Sequence, residues 1–324
     1  MIKQFYSTEK WFELNYALQA ELQLSPHQQN LFLFHDTHAA LLETFWSFSR
    51  QFMIKKKLFY VKGVSPYFNS ALNYLMGLGY DIVELDLDVA LNDQSWMDNI
   101  DHTVLGFLYA KDIPFLGRYF NWEDVQKKLA DKRVFQIEVI HNNHYIYGIK
   151  ESGNPYHLQL YDFLGVATLG VLGQRVTLEP IMTAGMNWEA FTPPMILHQV
   201  QSISENKDLV LQAEQQLSQV DWTLGDKILR YYDRMVFAWQ DLDASAFIES
   251  LNKQNLKVVQ NAMQTTSLVY WGGLRCMEWL QSYAGLNSQL IRGLVVIDKD
   301  LLASENFVST LLKVRQQVMK LQKG

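Results

Sequence analysis

The sequence has little cysteine, no long apolar run and no excess of basic residues. Cys276 is the one cysteine in 324 residues, so the chain can form no disulfide within itself and lacks the paired-cysteine patterns that bind zinc. No stretch of about 18 apolar residues occurs, and the first residues lack the apolar core of a signal peptide, so we expect a cytoplasmic protein outside the membrane. The net charge of -6 leaves no basic surface for phosphates, which argues against a nucleic-acid partner.

What the sequence does contain is enough apolar material for a large core. Of its residues 48% are hydrophobic and 19% are charged, which is typical of a globular protein. A chain of this length usually divides into two domains. We predict a large domain over residues 1–204 and a helical linker with a small domain over residues 205–324. Residues 1–29 form an N-terminal arm or helix that could join the small domain.

The large domain alternates short apolar runs with helical periods. A helical period over 37–52 follows the strand-like run "NLFLFH" at 30–35. Further strands are predicted in "KKLFYV", "DIVELDLD", "HTVLGFLYA", "RVFQIEVIH", "YHLQLYDF" and "QRVTLEP". Such alternation predicts an α/β fold with a mostly parallel sheet between two helical layers, and a site at the carboxyl ends of the strands.

After residue 205 the sequence pattern changes to longer, more polar helical stretches. We predict helices in "KDLVLQAEQQLSQ" and "TLGDKILRYYDRMVFAWQ", followed by strands in "SLVYWGG" and "GLVVID" with the helix "LRCMEWLQSYAG" between them. The chain then ends in the helix "SENFVSTLLKVRQQVMKLQ". This order predicts a small α+β domain.

One loop carries a specific resemblance. Within "YDFLGVATLGVLGQRVTLEP" at 161–180, the part "LGVLGQRV" resembles the "GLxGxRxG" segment that follows the Schiff-base lysine of aspartate-aminotransferase-like enzymes. These are the class I/II aminotransferases of the pyridoxal-phosphate-dependent transferase fold type I. The resemblance implies that Arg175 contacts the cofactor phosphate. The lysine, eight residues earlier, is replaced by Ala167, and Leu164 stands where the family has serine or threonine.

Other segments resemble the family in the same order along the chain. "FHDTHAALLETF" resembles the phosphate-binding turn and helix start, which implies cofactor contacts by Asp36, Thr37 and His38. "VSPYFNSALNYLMGLGY" resembles the "PxY" segment and places Tyr67 near the cofactor ring. "DIPFLGRYFNWEDV" resembles the "NPTG" turn with Ile113 at the asparagine position, or Asp112 if the gap is moved. "FTPPMILHQ" resembles the "NPP" segment.

Two charged positions of the family are changed in this chain. The aspartate that pairs with the pyridine nitrogen corresponds to His141 or Asn142, and neither supplies the anion that keeps the ring nitrogen protonated. Where the family clamps the substrate carboxylate with arginine, this chain offers Lys299, which lacks the bidentate fork. By the resemblance, pyridoxal phosphate would bind without a covalent bond.

Each of these residues also has a plainer interpretation. Arg175 could pair with a carboxylate in the sheet, and Thr37 could only cap a helix. His141 with His144, and His35 with His38, have a spacing of three but no nearby cysteine or carboxylate, so we predict no metal site. Cys276 is typical of a buried small hydrophobic residue.

Two hypotheses on function follow. The first is an aminotransferase-like homodimer without conventional transaminase activity, which keeps an anion or ligand pocket for a small molecule or a protein. The second is an enzyme that uses the same cleft on an amino-acid-like substrate, with noncovalent pyridoxal phosphate or with a substitute lysine. Lys111, Lys150 and Lys227 are the lysines considered for that role.

Overall fold

The computed structural model describes most of the predicted large domain and parts of the region after it. The described residues are 30–34, 36–65, 67–113, 116–141, 154–162, 168–178, 207–217, 220–224, 229–230, 232, 234–253, 260–261, 286–298, 302 and 306–323. The chain divides into two units, one of residues 1–112 with 120–201 and one of residues 113–119 with 202–324. Residues 113–119 thus belong to the unit that contains the C-terminus.

The first unit contains a seven-stranded sheet. Its strands are β1 Asn30–Phe34, β2 Lys57–Val61, β3 Asp81–Leu85, β4 Val104–Ala110, β7 Phe135–Ile140, β8 His157–Asp162 and β9 Thr168–Leu172. Their spatial order is β1-β9-β8-β7-β4-β2-β3. β9 runs antiparallel to both of its neighbours, and the other six strands share one direction. This confirms the predicted α/β fold with a mostly parallel sheet.

The central strands are buried along their whole length. Every residue of β4 and β7 is buried. β4 is a nearly continuous apolar run, whereas β7 alternates apolar residues with the buried polar residues Gln136 and Glu138. The helices of this unit are α1 Thr37–Gln51, α2 Phe68–Gly77, α3 Leu87–Leu91 and α4 Glu123–Asp131, with a 3-10 helix at Gln94–Asn99. Apolar side chains of α1 and α4 pack on the sheet.

One strand lies earlier in the sequence than predicted. We expected a strand in "QRVTLEP", but β9 is formed by "TLGVL", and residues 173–178 after it lie outside any strand. Gly170 has a packing role in β9, because a Cβ there would lie 2.9 Å from Cε2 of Phe34. Gly170, one of the glycines that suggest a loop in the sequence, therefore belongs to a buried strand.

The second unit is built on a four-stranded antiparallel sheet with the order β10-β11-β13-β12. These strands are β10 Trp222–Thr223, β11 Arg234–Ala238, β12 Gln260–Asn261 and β13 Leu294–Asp298, and a separate hairpin pairs β5 Asp112–Ile113 with β6 Arg118–Tyr119. Four helices accompany them: α5 Lys207–Gln216, α6 Ala244–Lys253, α7 Ser288–Arg292 and α8 Phe307–Lys323. The predicted helix over 223–240 is wrong, because its second half forms β11. No described helix is long and apolar enough to span a membrane.

Candidate functional site

The carboxyl ends of the parallel strands bring eight polar residues to one edge of the large sheet. Five of them follow or end β2, β4, β7 and β8, two lie at the start of α1 just after β1, and one begins the antiparallel β9. All eight belong to the first unit. We call them the edge cluster: Asp36, Thr37, Ser65, Tyr67, Asp112, His141, Asp162 and Thr168.

The start of α1 is fixed to β9 through a pair of hydroxyl groups. Asp36 caps the helix by accepting a hydrogen bond from the Ala39 amide at 2.7 Å. The hydroxyls of Thr37 and Thr168 lie 2.9 Å apart, and both side chains are fully buried. The helix start is therefore held against the sheet edge by polar contacts as well as by apolar packing.

Tyr67 connects two of the neighbouring strand ends. Its hydroxyl donates a hydrogen bond to Oδ2 of Asp162 at 3.0 Å. Its ring stacks on the ring of His141 with 6.1 Å between centroids and 19° between planes. Tyr67 thus lies between the ends of β7 and β8.

His141 contacts groups at both of its ring nitrogens. Its Nε2 lies 3.1 Å from Oγ of Ser65, and its Nδ1 lies 3.2 Å from the backbone carbonyl oxygen and 3.3 Å from Oδ1 of Asp112. The backbone amide of His141 also donates to Oδ1 of Asp112 at 2.8 Å. Ser65, Asp112 and His141 are all buried, so water screens these contacts little.

The edge cluster is acidic. Its eight members include three aspartates and one histidine but neither lysine nor arginine. Two lysines near the strand ends have other partners: Lys62 pairs with Asp86 at 2.8 Å, and the charge of Lys111 acts on Glu138, inside the sheet. An anionic ligand would therefore meet repulsion from the cluster itself.

A second buried polar network lies within the sheet rather than at its edge. Glu138 accepts a hydrogen bond from Gln159 at 3.0 Å, and its Oε2 lies 3.2 Å from Nε2 of His157. Burial raises the pKa of Glu138, but the hydrogen bonds and positive charges around it, chiefly from His157, outweigh burial and hold the pKa below its usual value. Burial and the charge of Glu138 raise the pKa of Tyr109 well above its usual value.

The structure brings together four of the residues proposed from the sequence, namely Asp36, Thr37, Tyr67 and His141. His38 lies half-buried in the first turn of α1, and no contact joins it to the edge cluster in the described part of the chain. Ile113 is fully buried in β5 and belongs to the second unit. Ala167 and Lys299 lie outside the described residues.

The structure places Arg175 at the opposite edge of the sheet. β9 runs antiparallel, so its first residue, Thr168, lies at the edge cluster and its last, Leu172, lies beside the start of β8. Arg175 follows Leu172, is exposed, and its backbone amide donates to the carbonyl of Pro155 at 2.8 Å. The earlier position of β9 therefore separates this arginine from Thr37 and Tyr67.

Ser65, Asp162 and Thr168 were missed in the sequence, and Asp112 was considered only as an alternative to Ile113. Thr168 begins β9, whereas Ser65, Asp112 and Asp162 lie directly at, or a few positions beyond, the end of an apolar run. That position is the available signal, because strand ends at this edge commonly carry functional side chains.

Among the described residues, no group of three or more histidine, cysteine, aspartate or glutamate side chains could hold a metal ion. No family model matches the sequence, and no curated protein matches it.

Solved structures, by contrast, match nearly the whole chain. A NifS-like protein has a TM-score of 0.70 at 11% identity, over 97% of this chain and 88% of its own. DndA from Streptomyces lividans has a TM-score of 0.60 at 13% identity, over 92% and 90%. Histidinol-phosphate aminotransferase from Clostridium acetobutylicum has a TM-score of 0.57 at 11% identity, over 95% and 89%.

The chain has the pyridoxal-phosphate-dependent transferase fold type I. Its seven-stranded sheet with one antiparallel strand is part of this fold, and the solved structures that match it are aminotransferase-like proteins. At identities of 13% or less the likeness concerns the fold, and function has to be argued from the residues of the edge cluster.

Proposed function

We propose that the chain is a non-transaminating protein of fold type I that binds a ligand at the edge cluster without a covalent cofactor. The connection between β8 and β9 carries this proposal. It runs from Asp162 to Thr168, and residues 163–167 between them include no lysine. Without an amine there, the chain lacks the covalent anchor and the base that transamination requires.

The residues of the edge cluster do not fit a phosphorylated pyridine cofactor. Its three aspartates would repel a phosphate dianion, and none of its eight members is a lysine or arginine that could neutralise one. The rings of Tyr67 and His141 lie 6.1 Å apart. A third ring stacked between them would need two contacts of about 3.5 Å each, which is more than this separation allows. The proposed function therefore includes no reaction step on pyridoxal phosphate.

The same charges indicate the kind of ligand. Oδ2 of Asp112 is buried and has no hydrogen-bond partner within the described residues. A buried carboxylate oxygen without a donor costs free energy, so a donor from the ligand would stabilise the site. We propose a neutral or cationic small molecule with hydroxyl or amino groups.

A cofactor titration tests this proposal. Pyridoxal phosphate is added to the purified chain, the visible spectrum is recorded, and the sample is reduced with borohydride and analysed by mass spectrometry. We expect no coloured or reducible adduct and no rise in melting temperature, because residues 163–167 contain no lysine and the edge cluster contains no cationic ligand for a phosphate. Pyridoxal and inorganic phosphate serve as matched controls.

Two results would contradict the proposal in different ways. A coloured adduct that borohydride fixes to any lysine would refute the absence of a covalent anchor. A colourless rise in melting temperature with pyridoxal phosphate, but not with pyridoxal, would support the noncovalent cofactor predicted from the sequence and refute the argument from charge. We also propose a homodimer, because the resemblance implies one, and sedimentation velocity tests it.

A second function has its own support. The hypothesis of an enzyme that uses the same cleft for another reaction is favoured by the contacts of His141 with Ser65 and Asp112. These contacts lead to a specific reaction class.

A further inference from the structure

Ser65, His141 and Asp112 form a linear chain of polar contacts between three neighbouring strand ends. Ser65 follows β2, Asp112 follows β4 and His141 follows β7, and these strands are adjacent in the sheet. The distance from Ser65 Oγ to His141 Nε2 is 3.1 Å, and that from His141 Nδ1 to Asp112 Oδ1 is 3.3 Å. We infer that these residues form a serine–histidine–aspartate triad for acyl transfer, with Ser65 as the nucleophile.

The contacts match the three roles that such a triad requires. A nucleophile and its base must lie within hydrogen-bond reach, and a third group must orient the base. Asp112 does so through its backbone and its side chain: its carbonyl oxygen lies 3.2 Å and its Oδ1 3.3 Å from Nδ1, and Oδ1 also accepts the His141 backbone amide at 2.8 Å. With the Nδ1 proton directed at Asp112, Nε2 keeps a lone pair that can accept the proton of Ser65.

The local fold presents Ser65 on a turn between a strand and a helix. β2 ends at Val61, the chain turns through Gly63 with φ 74, and α2 begins at Phe68. "Gly-Val-Ser" at 63–65 resembles the first half of the G-x-S-x-G turn that exposes a nucleophilic serine in other hydrolases, with Tyr67 at the second glycine position. α2 begins at Phe68, shortly after Ser65, so the positive end of the helix dipole lies near Ser65. No side chain caps this helix start.

A plain structural role explains the cluster less well. Buried polar networks with a purely structural role usually have every polar atom paired. Here Oδ2 of Asp112 is buried without a partner among the described residues, while Oδ1 makes the contacts to His141. An arrangement that orients an imidazole and leaves a second oxygen for a ligand fits a reactive site.

The reaction assigned to the triad is hydrolysis of a carboxylic ester. Oγ of Ser65 forms a bond to the carbonyl carbon while His141 takes the serine proton. The bond to the alcohol then breaks, and His141 returns the proton to the departing alkoxide. Water next attacks the acyl group on Ser65, giving one proton to His141, which passes it to the released serine oxygen. The products are a carboxylic acid and an alcohol, and Asp112 stabilises the transient imidazolium.

The charges of the edge cluster restrict the substrate class. Asp162 and Asp36 lie in the same cluster as the triad, so an anionic acyl group would be repelled. The substrate is therefore an ester with an uncharged or cationic acyl group. This inference goes beyond the proposed function, because a chain without serine reactivity could still bind a ligand without transaminating.

Labelling with a fluorophosphonate tests the triad on the full chain. We expect one adduct per chain, and peptide mapping should place it on Ser65, because the probe reacts only with an activated serine. The Ser65→Ala variant should lose the adduct. Ser70→Ala is the matched control and should label like the wild type, because Ser70 is an exposed serine of α2 whose hydroxyl contacts the Tyr67 carbonyl.

The partners of Ser65 have separate readouts. His141→Gln should lower the labelling rate by about 100-fold or more, the contribution expected of a general base. Asp112 acts through His141 as a positioning residue. In Asp112→Asn the lost charge should lower the plateau of the labelling rate and shift its pH midpoint downwards, whereas a purely structural loss would leave the midpoint unchanged.

Two results would overturn the triad. One is a folded wild-type chain that gives no adduct, and the other is an adduct on a serine other than Ser65. Wild-type mapping decides the matter even if a variant does not fold. The cofactor titration on the same sample separates the two proposals: no label together with no coloured adduct refutes only the triad.

Discussion

Removing both partners of the buried Glu138–His157 pair should cost less stability than the sum of the losses from removing each partner alone. The side chains of His157 and Glu138 are 4% and 2% exposed, and Nε2 of His157 lies 3.2 Å from Oε2 of Glu138. A buried charge left without its partner costs about 3–5 kcal/mol, whereas replacing both partners by apolar groups is often nearly neutral. We expect His157→Leu to fall in that range.

A double-mutant cycle measures this coupling. The free energy of unfolding in urea is determined for the wild type, Glu138→Leu, His157→Leu and the double variant. We expect the double variant to be less destabilised than the sum of the single variants by about 2 kcal/mol, since removing both charges leaves neither unpaired. Additivity within about 0.5 kcal/mol would refute the reasoning.

The same pair predicts a dependence of stability on pH. The folded-state pKa of Glu138 lies below the unfolded-state value, because the contacts of His157 and the other donors outweigh burial. The stability that Glu138 contributes is therefore present above the unfolded pKa of about 4.3 and is lost as the pH falls through the folded-state pKa. The stability difference between the wild type and Glu138→Gln should shrink over that acid range. If the two stability curves stay parallel from pH 7 downwards, Glu138 is not charged in the folded protein.

Two further predictions concern packing and ion pairs. Arg230→Met should cost about 3–5 kcal/mol, because it leaves Glu214 without the bidentate partner that bonds it at 2.6 and 2.8 Å, while Lys253→Met, at an exposed pair, should cost less than about 1 kcal/mol. Urea unfolding of both variants checks this, and equal losses would contradict it. Gly170→Ala should cost about 1–3 kcal/mol, because its Cβ would lie 2.9 Å from a phenylalanine ring of β1. Gly77→Ala, with no atom within 4 Å of its Cβ, is the control and should change the melting temperature little; an equal change in both variants would contradict the packing argument.

Strands with continuous apolar runs could be predicted from the sequence. β4 is buried on both faces, and "VLGFLYA" indicates a strand without any knowledge of its neighbours. β7 is also buried, but "FQIEVI" indicates a strand through its alternation of apolar and polar residues. β9 could not be placed in this way, because Gly170 is required by the ring of Phe34, far away in the sequence. β11 was missed because "RMVFA" lies in a stretch whose apolar spacing also suits a helix, and only pairing with β13 decides between the two.

The edge cluster was predictable only in part, and the resemblance supplied most of what was found. Tyr67 and His141 were proposed from the resemblance and stack on each other in the structure, yet their other partners lie far away in the sequence. Ser65 and His141 are separated by 76 positions, and Tyr67 and Asp162 by 95. Such contacts depend on which strands become neighbours in the sheet, and local periodicity does not encode that order.

The position of β1 has a consequence for biosynthesis. β1 pairs only with β9 in the sheet, and the helix start that follows β1 meets β9 across 131 positions of sequence. At translation speeds of about 5–20 residues per second, the N-terminal strand waits roughly 7–26 s for its partner to leave the ribosome. During that interval its backbone edge is unpaired and open to pairing with other chains.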